Sequence, residues 1–391
     1  MNLELTSEQR QIRDSAYKWA LNEIAPIQER MDEEDWLPPD IFRRLGDMGF
    51  LGVTIAEEYG GLGLDPLTEG LVVEQISRFA PALGLSMVAH VSLCVANIHK
   101  NANDALKAKY LPKLVSGEHV GALGITEPGA GSDALGGIAT KAVLRGDKYI
   151  VNGTKMFITN GSIAEVIMIY AKTKPELGAK GLSAFIVEKG YPGFSVSEKI
   201  KKAGMRGSPT VELVFDDCEV PLENLVGELD AGVGVVTKGL DFERVACSFI
   251  SLGAAHQALE YSIQYAQERK QFGRPIGQFQ MIQAKLAEMY AKLEAARALT
   301  YQAAASITGA TRGGKGTVVT RQAAAAILFT AEVATQICND AVQIHGGYGY
   351  CLEYPVQKLW RDAKLLEIGA GTTEIRKLII ARELLNAGTL G

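Results

Sequence analysis

The chain reads as an α+β protein with a helical N-terminal part, a β-rich middle and a helical C-terminal bundle. Three observations predict this. Apolar residues recur at three- and four-residue steps up to about residue 120, short runs rich in Val, Ile, Phe and Tyr fill 121–228, and long helical periodicity returns after Gly232. These shifts divide the chain into 1–120, 121–228 and 229–391.

The first part opens on a charged helix, 6–25, with Thr6 and Gln9 at the spacing of a capping box. Further helices are expected over 39–48, 67–79, 83–100 and 104–114, punctuated by Gly60 to Asp65 and by Pro81. In the middle, YIVNGTKMFITNG, VIMIYAKT, GLSAFIVEKG and VELVFDDCEVP read as strands separated by turn residues. The C-terminal part is expected to begin with a helix from Asp241 to about Gln271, with Val245, Phe249, Leu252, Leu259, Ile263 and Ala266 along one face, stopped by Gly273 and Pro275. Two alanine-rich helices, about 278–308 and 316–343, and a last one, about 372–386, complete the bundle.

With 391 residues, 47% of them hydrophobic, the chain buries a large core. A net charge of -5 without any run of Lys or Arg argues against nucleic acid or an anionic membrane as partner. Cys94, Cys218, Cys247, Cys338 and Cys351 are scattered, odd in number and without a C-x-x-C pair, which suggests neither a disulfide framework nor a zinc site. Reduced thiols fit a bacterial cytoplasm or, if a presequence has been removed, a mitochondrial matrix. The N-terminus lacks the apolar stretch of a signal peptide, and no long uninterrupted apolar run suggests a membrane span.

The segment GITEPGAGSD, 124–133, sets hydroxyl donors and bare amides on a tight turn, without a nucleophile or metal ligand. Gly129 and Gly131 let a flat or charged ligand approach, and Thr126 and Ser132 offer hydrogen bonds, so the loop suits a cofactor; by itself such a run is more often a simple turn. Several decoys fall away. GATRGGKG, 309–316, has Gly316 where a P-loop needs Ser or Thr and follows a helix rather than a strand. Gly129 and Gly131 do not extend to the Rossmann glycine pattern, no G-x-S-x-G elbow occurs, and His90, His99, His119, His256 and His345 lack metal-ligand spacing.

Four distant stretches carry the functional reading: GITEPGAGSD; KMFITNG, 155–161; LDFERV, 240–245, with ERKQFG, 268–273; and QIHGGYGY through RDAKLLEIGAGTTEIRKL, 343–378. In this order they resemble the acyl-CoA dehydrogenase family over essentially the whole chain, and within it the isovaleryl-CoA dehydrogenase branch. The resemblance implies a middle β-barrel or sheet, a C-terminal four-helix bundle, bound FAD, a homotetramer and electron-transferring flavoprotein as electron acceptor. It also implies a glutamate that removes the α-proton of an acyl-CoA while the β-hydrogen leaves as hydride.

In most of the family that glutamate lies just before the Gly-Thr that opens the last helix, where this chain has Ala370. In the isovaleryl branch it comes from the first C-terminal helix, where this chain has Glu243. On spacing alone Glu243 is a first-turn helix acid with Asp241 as N-cap, its carboxyl lowered by the helix dipole. With Ala370 in the frame of the family, Glu243 is the expected base.

The resemblance carries over further roles. Leu123, Ile125 and Thr126 line and bond the flavin edge, Ser132 contacts cofactor phosphate or substrate, Phe157 covers a flavin face and Thr159 bonds nearby; their plain alternative is a strand with alternating burial. Arg269 and Phe272, with Gln343, Gly346 and Gly347, reach the far end of a neighbouring subunit's FAD; Arg269 is otherwise a helix-terminal cation. Thr372 and Glu374 finish the cofactor site, although Glu374 is expected a turn down the last helix. Asp241 and Arg244 hold CoA, and the Ala370 amide faces the thioester oxygen. Arg206 falls near the flavin edge that meets the electron acceptor. Gly369 and Ala370 leave room beside the α- and β-carbons, and the helix 90–98 closes the pocket. Isovaleryl-CoA is favoured; another short branched or alicyclic acyl-CoA, such as cyclohexanecarboxyl-CoA, stays open. An acyl-CoA oxidase and an inactive flavin- or CoA-binding protein are the rival readings.

Overall fold

The computed structural model describes residues 4–307 and 318–388, so the GATRGGKG decoy lies outside the described residues. The chain starts with α1 (Ser7–Glu23), whose Thr6 hydroxyl accepts the Gln9 amide at 3.1 Å while the Gln9 side chain accepts the Thr6 amide at 3.0 Å. That is the capping box its spacing predicts. There follow α2 (Gln28–Glu33), α3 (Ile41–Asp47), α4 (Pro66–Phe79), α5 (Pro81–Val88), α6 (Ala96–Asn101) and α7 (Asp104–Val115). α4 is started by Asp65, which caps the Thr68 amide, and by Pro66, whose missing N–H belongs to the unbonded first turn.

Between α5 and α6 the residues Ala89–Val95 form a π-helical segment, so Pro81–Asn101 is one continuous rod. By length and composition it qualifies as a membrane span, contrary to the sequence reading that no such run exists, yet 89% of its most apolar window is buried inside the protein. Its apolar surface serves the core, against the sheet and the first C-terminal helix.

The middle strands are β1 (Gly121–Gly124), β2 (Lys141–Arg145), β3 (Lys148–Thr159), β4 (Val166–Lys172), β5 (Leu182–Glu188), β6 (Phe194–Val196), β7 (Thr210–Pro221) and β8 (Leu225–Val226). They form an open mixed sheet in the order β6-β7-β3-β2-β4-β5-β8, with β1 parallel to β4. β4 and β5 are apolar on both faces because both are covered: Met168 and Ala184 pack towards the helices, Ile169 and Phe185 into the sheet's other core.

The C-terminal part comprises α8 (Gly232–Glu268), a hairpin of β9 (Lys270–Gln271) and β10 (Arg274–Pro275), then α9 (Gln280–Ile307), α10 (Val318–His345), α11 (Val356–Ala363) and α12 (Thr373–Ala387). α8, α9, α10 and α12 make the bundle, and α4 lies along α8. Of the face expected on α8, Ile263 is instead 41% exposed.

α4 and α8 approach closely because each offers a glycine. A Cβ at Gly70 would collide with the Phe249 ring, and one at Gly253 with the Glu74 carbonyl oxygen. Gly253→Ala is expected to destabilise the protein by roughly 2–3 kcal/mol, since backbone cannot move aside as a side chain does. A urea midpoint equal to the parent's would contradict that.

Candidate active site

α8 begins well before Asp241, which places Glu243 about three turns into the helix rather than in its first turn. Asp241 is therefore not an N-cap. Its carboxylate accepts from Arg244 at 2.7 Å and from the Thr320 hydroxyl at 2.7 Å. The dipole argument falls with it, because that effect fades within the first turn.

Burial governs Glu243 instead. The residue as a whole is half-buried, while its carboxyl is enclosed by protein. Desolvation pushes it up to about 7 against the opposing charges of Arg244 and Arg376. Tyr170 from β4, Cys247 one turn on and Arg376 from α12 surround it electrostatically.

The turn that carries Ala370 lies between the 3-10 turn Lys364–Glu367 and α12. Ala370 has φ 56° and Gly371 φ 84°, both left-handed, a conformation that a non-glycine residue holds at some cost. The Gly369 carbonyl accepts from buried Arg376, which thus joins the turn to Glu243's surroundings. Thr372 caps α12, accepting the Ile375 amide at 3.3 Å. Glu374 stands in the first turn of α12 rather than a turn down it, exposed, its carboxyl held low by its own amide and by Thr372. Glu367 pairs with Lys364 at 2.7 Å.

The GITEPGAGSD loop is stapled to β3. The Met156 amide donates to the Thr126 carbonyl at 2.7 Å, and the Lys155 ammonium meets Glu127 at 2.8 Å in a pair that is 0% and 6% exposed. Glu127 also accepts from the Ala139 amide at 2.6 Å and the Thr140 amide at 3.1 Å. Burial opposes its charge, but Lys155, Thr140 and Ala139 outweigh it and hold the carboxyl below its usual range. Leu123, Ile125 and Thr126 are half-buried beside this staple, Ser132 is exposed, and nothing stands within 4 Å of where Cβ atoms at Gly129 and Gly131 would be.

Next to Met156, a β-bulge gives Phe157 φ 61° and turns its ring outward, 60% exposed; Thr159 follows half-buried. An aromatic side chain thrust from a bulge beside an open glycine loop fits a flat ring system such as a flavin. His90 does not face this space: its ring lies between the Leu114 carbonyl, 3.0 Å, and the Gly121 amide, 2.8 Å. Within the π-helical segment, Leu93 alone keeps exposed surface. Arg206 donates to the Asp32 and Glu33 carbonyls at 2.6 and 2.8 Å.

A second cluster lies at the other end of α8. Arg269, Gly346 and Gly347 line one cleft of about 470 Å³ with Tyr265, Gln271 and His345. Gln343 is exposed nearby and Phe272 is 94% exposed with φ 50°. From Glu243 to Arg269 the helix rises roughly 39 Å, so the predicted residues form two separate groups on one chain. Sequence reasoning missed Arg376, Tyr170 and the Glu127–Lys155 pair, since a lone charge or tyrosine in an amphipathic pattern carries no sign of burial.

Fold and site together fit a flavin-dependent oxidoreductase. The chain belongs to the acyl-CoA dehydrogenase family: residues 6–118, 122–218 and 230–385 match its N-terminal, middle and C-terminal domains. Over 378 residues it is 46% identical to a mitochondrial isovaleryl-CoA dehydrogenase of Oryza sativa subsp. japonica, covering 96% of this chain and 91% of that one. The structure of butyryl-CoA dehydrogenase from Megasphaera elsdenii matches with a TM-score of 0.94 at 38% identity, covering 98% of this chain and all of that one. A structure of PigA with FAD and proline matches with a TM-score of 0.93 at 32% identity over the full length of both. The protein is an acyl-CoA dehydrogenase, and its cofactor is FAD.

Proposed function

We propose that the protein dehydrogenates a short branched-chain acyl-CoA, isovaleryl-CoA foremost, to the 2-enoyl-CoA and passes the electrons to electron-transferring flavoprotein. One observation carries this reading: Glu243, its carboxyl raised by burial, lies near a buried arginine that grips the turn where Ala370 replaces the family's usual acid. FAD, when bound, supplies the hydride acceptor. Glu243 takes the α-proton, and the Ala370 amide donates to the thioester oxygen, where negative charge gathers as the proton leaves. Leu123, Ile125, Thr126, Phe157 and Thr159 hold and cover the flavin ring. Ser132, Thr372 and Glu374 complete the polar contacts. Asp241 and Arg244 hold CoA; the Arg244 Nε is buried without a partner among the described residues, a donor left over for a ligand.

Gly369 and Ala370 keep the pocket wide beside the α- and β-carbons, which suits branching there. The π-helical segment with Leu93 closes its far end. The three parts 1–120, 121–228 and 229–391 act as domains. A bacterial cytoplasm or a mitochondrial matrix is the compartment.

The distance along α8 supports a second copy of the chain, and the family resemblance makes the assembly a homotetramer. Arg269, Phe272, Gln343, Gly346 and Gly347 serve the FAD of a neighbouring copy, because the same chain's Glu243 site is too far away. Sedimentation of the yellow protein is expected to give a tetramer, and Arg269→Ala to lower its flavin content. A monomer that keeps full flavin would contradict this.

Anaerobic bleaching by straight, branched and cyclic acyl-CoA thioesters tests the function and the substrate together. Isovaleryl-CoA is expected to bleach fastest; a leading cyclohexanecarboxyl-CoA or butyryl-CoA would displace it. Because the Glu243 carboxyl is raised, the protonated and inactive form prevails at low pH, so kcat/KM rises as pH increases through about 7. A limb near the ordinary carboxylate range would contradict the burial of the base.

A further inference from the structure

We propose that Arg376 is a positioning residue that ties the base to the amide polarising the thioester: it holds the Gly369 carbonyl, so aiming the Ala370 N–H, and sets its charge beside Glu243. The inference rests on Glu243 as the base. Arg376 is 0% exposed, on the first turns of α12, and one nitrogen of its guanidinium donates to the Gly369 carbonyl. Its Nε and Nη1 are buried without a partner among the described residues. A buried cation with two free donors is costly, so a place like this calls for a role.

The peptide link explains the aim. The described chain has no cis peptide bond, so the Gly369 carbonyl and the Ala370 N–H point in opposite directions from one rigid plane. Whatever fixes the carbonyl fixes the amide. The left-handed φ of Ala370 is held at some cost, and the arginine's bond to the Gly369 carbonyl helps to hold it. A charged donor on the carbonyl also polarises the peptide and strengthens its N–H.

The charge has a second use. Glu243 is faced by Arg244 and Cys247 from α8, Tyr170 from β4 and Arg376 from α12; Arg376 is faced in turn by Cys247, Arg244, Glu243 and Glu332 of α10. Arg244 is already engaged by Asp241, and Glu332 lies 3.7 Å from Lys377. As the α C–H bond breaks, the proton goes to Glu243 and the electron pair moves onto the thioester oxygen. The negative charge thus passes from the carboxylate to the atom that the Ala370 amide contacts, and Arg376 compensates it at both ends.

A 3-thiaacyl-CoA tests this with the FAD-loaded enzyme, since it loses an α-proton yet has no β-hydrogen to give. Its ionisation is followed against pH by long-wavelength absorbance, and the carbonyl stretch of a ¹³C-labelled thioester is read by infrared. Arg376→Gln is expected to raise the ionisation midpoint by about one unit or more, to relax the carbonyl shift and to slow flavin reduction roughly 10²-fold, with KM little changed. Arg376→Lys is expected to keep the midpoint near the parent's but lose part of the carbonyl shift, because it retains charge without the guanidinium's reach. Should Arg376→Gln not fold, an unchanged carbonyl band and rate in Arg376→Lys would overturn the aiming role. A parent-like midpoint and band in Arg376→Gln would overturn the proposal as a whole. Glu243→Gln in the same assay separates the two readings: ionisation there sinks the base itself, whereas its loss there beside an unaltered Arg376→Gln sinks only Arg376.

Discussion

Glu243→Gln is expected to slow flavin reduction by acyl-CoA roughly 10⁴-fold while the protein stays yellow. The α-proton of a thioester is a weak acid, and an amide of the same shape cannot accept it. The two acids flanking the Ala370 turn do not stand in: Glu367 is tied to Lys364 at 2.7 Å, and Glu374 is exposed on α12 with its carboxyl held low. Rapid-mixing bleaching measures the rate, and near-parent reduction would remove Glu243 as the base. The same variant carries a stability signature. Because the folded carboxyl is raised to about 7 from a reference near 4.5, the folded state holds a proton that the unfolded state has released between those values. Stability from this group is therefore full below the lower value and lost as pH rises to the upper. The Gln variant escapes that loss, so at pH 8 it is expected to unfold at higher urea than the parent, the gap closing as pH is lowered towards 4.5.

Lys155→Met is expected to cost about 3–5 kcal/mol and to release FAD, because it leaves the Glu127 carboxylate buried without its cation. The pair joins the loop at 124–133 to the strand that carries Phe157 and Thr159, so its loss loosens both sides of the proposed flavin site. Burial pushes the Lys155 ammonium down to about 8 against the pull of Glu127, which still leaves it charged at neutral pH. Adding Glu127→Gln should recover part of the loss by removing the stranded charge. Urea unfolding with flavin fluorescence reads both quantities. A Lys155→Met midpoint equal to the parent's would show that the pair is no clamp.

The order of helices and strands was legible because periodicity and caps reflect local physics: the Thr6 capping box and the apolar runs of β4 and β5 fold as their patterns require. The start of α8 was not legible. The sequence alone starts this helix at Asp241, whereas Gly232 lies against Leu182 backbone and Gly239 against Asn97, so tertiary contact carries the helix through the glycines before it. That early start changes what holds the Glu243 carboxyl, from a helix dipole to burial. Pairing Ala370 with Glu243 came from resemblance, and the arginine between them had no signature at all. Arg376 sits among the charged residues of α12 and reads as surface until the fold encloses it.

A crystal structure of the FAD-loaded protein with isovaleryl-CoA tests the central claim most directly, through the distance from the Glu243 carboxylate to the acyl α-carbon. The account predicts contact at about 3–3.5 Å, with the Ala370 amide on the thioester oxygen. A carboxylate turned away from that carbon, or another acid in its place, would contradict it.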